Sequence, residues 1–189
     1  PLLTDDAREE LESMMYTPMD PDGRSFNNLY QYIVEDNIAD LLNKTHIEKI
    51  FTRCKRLGTK TIVFGSAPAR ALDDETSQDE GYAQIAELSK KILVPACEKY
   101  GITVVIEALR STACNFIHTL SDGMRVVDAV DSKWIALLAD TIHMRNNDDD
   151  PDHILKYKDS LKHIHISELD RVLPEDGYSD YVKRVIDNA

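Results

Sequence analysis

"ITVVIEAL" (102–109) is apolar on both faces until Glu107 interrupts it. A strand with one wet side alternates apolar and polar residues. This one does not, which marks a parallel sheet covered by helices. Working outward, the pattern recurs. "TKTIVFGS" (59–66) is β-branched and aromatic, "WIALLAD" (134–140) is apolar to its last residue, and "HIHIS" (163–167) is a fourth candidate strand. Strand starts fall roughly 30–40 residues apart, the spacing of βα units.

Helical patterns fill the gaps. "THIEKIFTRCKRLG" (45–58) opens with Thr and Glu48 as a capping box and stops at Gly58. A long pattern over 79–100 ends in "CEKYG", and others are expected near 120–130, 151–160 and in "YSDYVKRVIDNA" (178–189). Before them, "TDDAREELESMMY" (4–16) reads as a capped helix, and "RSFNNLYQYIV" (24–34) is ambiguous, with a short strand one reading. The order βαβαβαβ fits either a doubly wound sheet or a (β/α)8 TIM barrel. The first should carry GxGxxG after its opening strand, and none of the seven glycines supplies it. A complete barrel typically takes about 250 residues. The 189 residues are therefore expected to form a single partial barrel domain, 1–189, with its first and last strands missing.

Composition narrows the functions. Thirty-four acidic against 22 basic residues give a net charge of -12, with the densest acidic run at "NNDDDPD" (146–152). Such a surface disfavours nucleic acid. No apolar run reaches the ~18 residues of a membrane span, and no signal peptide is visible. Cys54, Cys97 and Cys114, with no CxxC, suit a reducing cytoplasm.

In a barrel, functional groups collect at the C-terminal strand ends. Glu107, Asp140 and His165 stand there on three successive strands. Singly, each has a bland reading: a strand-end glutamate is as readily solvated, and His163 or His165 could be a packed core histidine. Together they favour a divalent cation, because acids and imidazoles inside an apolar barrel are costly unless paired or metal-bound. Two carboxylates and one imidazole suit Mn²⁺, Mg²⁺, Co²⁺ or Zn²⁺, and the oxygen-rich set leans to Mn²⁺. "FGSAPAR" (64–70) offers Arg70 to an anionic substrate, although a plain βα turn is the simpler reading.

"VVIEAL", "NFIHTL", "LLADTIHM" and "HIHISELDRVLPEDGYSDY" together resemble the xylose isomerase-like TIM-barrel superfamily of sugar isomerases and epimerases, over roughly 45–189. Its branch of ketose 3-epimerases and hydroxypyruvate isomerases is the most similar. The resemblance implies that Glu107 is a metal-binding glutamate that also serves as acid/base, that Asp140 and His165 are metal ligands, and that His143 and Arg171 contact substrate oxygens. It implies a small-molecule sugar as partner, with a homo-oligomer left open. "EALRSTA" departs from the family's E-P-L-N-R-x-E: Arg110 and Ser111 replace Asn-Arg, and Ala113 stands where a second glutamate is common. The substrate class is thus open. The family's final-strand glutamate, the partner acid/base, would fall beyond Ala189, so residues 1–189 alone are expected to bind metal weakly and turn over no sugar unless Glu168 or Asp170 substitutes. An inosose-type dehydratase, an apurinic-site endonuclease (disfavoured by the charge) and a non-catalytic barrel remnant are the competing readings.

Overall fold

The computed structural model describes residues 46–68, 70–169 and 177–189. The candidate helix 4–16, the ambiguous stretch 24–34, and Asp170 and Arg171 lie outside them. Four strands form one sheet in the order β1-β2-β3-β4, every neighbouring pair parallel: β1 Thr61–Phe64, β2 Thr103–Glu107, β3 Ile135–Asp140 and β4 Leu161–His165. Helices intervene, as the barrel reading requires. They are α1 His46–Arg56, α2 Gln78–Leu88, α3 Val94–Tyr100, α4 Leu120–Val130, α5 Thr141–Asn146, α6 His153–Tyr157 and α7 Asp180–Asn188.

Local chemistry explains most boundaries. Ser77 and Glu80 form a reciprocal capping box on α2, and Thr119 with Asp122 does the same on α4. Gly58 (φ 76°) and Gly101 (φ 67°) take the left-handed turn that follows α1 and α3. The helix expected as one piece over 79–100 is interrupted by a π-turn, Ser89–Leu93. Pro95 follows it and has no N–H to donate, and the ladder widens there so that the Val94 N–H reaches Ser89 O.

Both sheet faces are apolar. Val104, Ile106, Ile135 and Leu137 pack outward on the helices with Phe51, Ile85, Cys97, Phe116 and Val126. Val105, Ala136 and Leu138 form a separate inner cluster. The register makes Val63, Val105 and Ala136 lateral neighbours on that inner face, with Glu107 beside Leu138 one step on. Period-two alternation then carries Asp140 to the same face.

β4 begins and ends two residues earlier than its sequence pattern suggests, and its register against β3 jumps from Leu137↔Leu161 to Leu138↔His163. Lys162 is the extra residue of this bulge, and it inverts the parity of the residues after it. Leu161 is partnered with an outward residue, yet His163 and His165 are partnered with inward Leu138 and Asp140. Without the bulge both histidines would face the helices.

Candidate metal centre

Glu107, Asp140 and His165 are the last residues of β2, β3 and β4. Each offers one ligand atom, and these atoms lie within 4.8 Å of one another, the one such group among the described residues. His165 Nδ1 stands 3.0 Å from Glu107 Oε1 and 3.3 Å from Asp140 Oδ2. Both carboxylates are buried, while the imidazole is half-buried.

Asp140 is oriented by the chain beyond it. Its Oδ1 accepts the Ile142 and His143 backbone N–H groups at 2.8 and 3.2 Å, making it the N-cap of α5 and leaving Oδ2 toward His165. The six-residue α5 was not legible in "TIHMRN", too short to show a period, but "D-T-x-H" is itself a cap signature. Thr141 ties this corner to the segment after β4: its hydroxyl donates to Ser167 O at 2.7 Å and accepts the Ser167 N–H at 2.9 Å.

Burial pushes the Glu107 carboxyl above the usual carboxylate range, nearby Asp140 adds to the rise, and the His165 charge opposes it. Two buried acids share a single ring nitrogen, so one nitrogen-bound proton must serve two oxygens. The donor set, two carboxylate oxygens and an imidazole nitrogen, fits a divalent ion of the Mn²⁺ or Zn²⁺ kind.

His143 lies buried on α5 and its Nδ1 accepts the Arg110 N–H at 3.2 Å. In the neutral ring the proton is therefore on Nε2, which makes that atom a donor. Arg171 lies outside the described residues. Glu168 is engaged elsewhere: Ser179 N–H at 2.6 Å and Arg145 at 3.3 Å hold its carboxyl below the usual range, a poor state for a base. Arg70 is fully buried, with Nη2 on Glu107 O at 2.5 Å and Nη1 on Phe64 O at 3.2 Å. It is no surface anion binder. His163 is exposed and edge-on to His165, with ring centroids 5.2 Å apart, and is not a core histidine.

Asn115 and Asn147 escaped the sequence reading. Asn115 pairs with both backbone groups of Leu72, and Asn147 donates to Leu109 O and His118 O. Together they clamp a loop in which the β-branched Ile117 holds φ 61°, a conformation costing about 1–3 kcal/mol.

The model of the family described as "xylose isomerase-like TIM barrel" matches residues 23–185. The 3-dehydro-D-guloside 4-epimerase of Escherichia coli (strain K12) is 28% identical over 141 residues, 71% of this chain and 54% of that protein. Among solved structures, D-psicose 3-epimerase with D-tagatose from Clostridium cellulolyticum H10 is 18% identical at a TM-score of 0.66, over 82% of this chain and 54% of that one. The chain thus spans about half the length of both. A structure of the IOLI protein with a binding zinc atom is 16% identical at a TM-score of 0.60, over 96% of this chain and 72% of that one. At such identities the two structures show a common fold.

Proposed function

Because the chain belongs to the xylose isomerase-like TIM barrel family, we propose that it works as a divalent-metal-dependent sugar isomerase or epimerase. The reaction moves a proton at a carbon next to the carbonyl of a small ketose or keto-sugar. The observation that carries this reading is the convergence of Glu107, Asp140 and His165 within 4.8 Å on the inner face of three consecutive strand ends. An epimerase as the matched relative supports the reaction class.

In this reading Glu107 Oε1, Asp140 Oδ2 and His165 Nδ1 hold the ion, with Mn²⁺ favoured by the oxygen-rich set and Mg²⁺, Co²⁺ or Zn²⁺ as alternatives. When bound, the ion supplies polarisation of the carbonyl and its neighbouring hydroxyl. Glu107 takes the proton from the adjacent carbon. His143 and Arg171 are assigned contact with substrate oxygens where negative charge develops. Asp140 keeps its orientation through Oδ1, which accepts two backbone N–H groups. The partner is a small sugar; the acidic charge opposes nucleic acid. Among the described residues no helix is long and apolar enough to cross a membrane. All three cysteines are free, which supports a cytoplasmic setting.

The test is a panel of small ketoses and keto-sugars turned over by the protein with added Mn²⁺, following exchange of the carbon-bound hydrogen by NMR. Exchange that stops on chelation supports the reading. Loss of water instead of epimerisation would move it to an inosose-type dehydratase, and no exchange with any sugar by a chain that also carries the family's final-strand glutamate would leave a non-catalytic barrel.

A further inference from the structure

Gly65 and Arg70 belong to one short stretch, "FGSAPAR", to which the proposed reaction gives no part. Phe64↔Ile106 is the last register pair of β1 and β2, so Gly65 falls opposite Glu107 on the inner face. A Cβ at Gly65 would overlap Oε2 of Glu107, and would stand 3.0 Å from its carboxyl carbon and 3.4 Å from its Cβ. Gly65 does not have the left-handed φ of Gly58, Gly101 and Gly177, so a side chain here would meet the Glu107 carboxylate rather than a backbone penalty. The carboxylate of Glu107 rests directly on this bare piece of main chain.

Arg70 fixes the other half of the arrangement. Its Nη2 donates to the Glu107 carbonyl and its Nη1 to the Phe64 carbonyl, joining β1 and β2 just where their register ends. The guanidinium is fully buried and its Nε has no partner among the described residues, a costly way to make two hydrogen bonds if packing were the only purpose. Its charge also acts on the Glu107 carboxylate. The planar fork reaches two carbonyls at once, which a lysine ammonium on a flexible stem does not reproduce.

We propose that Gly65 and Arg70 are positioning residues that together form a seat for Glu107, so that the segment after β1, and not β2 alone, places this carboxylate at the metal centre. The proposal rests on the reading of Glu107 as a metal ligand, and its test separates the two. Gly65→Ala and Arg70→Lys are made in the parent protein and in a Glu107→Ala background. Thermal unfolding of the metal-free forms is measured, and Mn²⁺ binding is followed by calorimetry.

Gly65→Ala should lower the melting temperature of the parent but not of the Glu107→Ala protein, where the space it invades has been vacated. Both variants should weaken Mn²⁺ binding about 10- to 100-fold in the parent, the loss typical of outer-shell partners, and should not alter the residual Mn²⁺ affinity once the Glu107 carboxylate is gone. Equal effects in both backgrounds, or Mn²⁺ binding by Gly65→Ala as tight as the parent's, would overturn the seat. Should Arg70→Lys fail to fold, Gly65→Ala decides alone. If Glu107→Ala itself keeps full Mn²⁺ affinity, the ligand reading fails, and the unfolding comparison still decides whether Gly65 seats the carboxylate.

Discussion

At Asp149 every acceptor is committed. Its Oδ2 takes the Leu120 N–H at 2.7 Å, its Oδ1 faces His153 Nδ1 at 2.5 Å, and its carbonyl receives the Tyr181 hydroxyl at 2.6 Å. At the strand ends, two acids face one ring nitrogen. The histidines are about equally exposed, 41% for the His153 side chain and 39% for His165, so exposure does not separate the two sites. Counting donors does. Among the described residues the Asp149 cluster ties α4, α6 and α7 together through three separate donors, whereas at the strand ends one ring nitrogen faces both Glu107 and Asp140. A buried carboxylate–histidine pair is structural where donors match acceptors, and a candidate site where they do not.

The largest expected effect breaks the comparison on the chemical side. Glu107→Gln should cut exchange of the carbon-bound hydrogen by about 10²–10⁴-fold while the protein stays folded, as read by NMR with the most active sugar. An intact rate would remove Glu107 from the proton transfer. Next, Asp140→Ala should weaken Mn²⁺ binding by about 100-fold or more, since losing even an outer-shell partner costs ~10–100-fold. Calorimetry on the folded variant checks this.

The complementary variant sharpens the contrast. Asp149→Ala should leave Mn²⁺ affinity unchanged but cost about 2 kcal/mol in urea unfolding, through the lost contact to the first turn of α4 and the stranded histidine. A fall in metal affinity without a fall in stability would reverse the roles assigned to the two clusters.

The smallest effect is a pH dependence of the metal-free protein. Burial first, then the Asp140 charge, raise the Glu107 carboxyl in the folded state, with His165 opposing. A raised folded value means that the native state binds more protons than the unfolded chain between the two values. The Glu107 contribution is therefore fully present below the ordinary glutamate range and lost as pH rises through the raised value. Glu107→Gln should flatten that decline in urea midpoints measured from about pH 4 to 8. A parent and variant that run parallel across the range would contradict it.

How much of this was readable depends on the length scale of each signal. β2 and β3 run apolar on both faces, and α4 carries its own capping box, so their positions stand close to what the residues suggest. β4 did not, because its start, Leu161-Lys162, contains a charged residue that only a bulge makes compatible with the sheet. The π-turn was hidden for a similar reason: Pro95 announces a disturbance but not its form. Strand ends and period two suffice to bring Glu107 and Asp140 to one face, whereas His165 joins them only because the bulge at Lys162 turns it inward. Gly65 and Arg70 were not legible. A small-residue loop reads as a turn until the carboxylate lying on it is placed, and that carboxylate comes from a strand about 40 residues further along the chain.

Crystals of the protein soaked in Mn²⁺ and measured for anomalous scattering test the central claim most directly. One strong peak is expected about 2.0–2.3 Å from Glu107 Oε1, Asp140 Oδ2 and His165 Nδ1, with no peak at Asp149. An empty strand-end cluster, or a Mn²⁺ ion seated at Asp149 instead, would contradict the account.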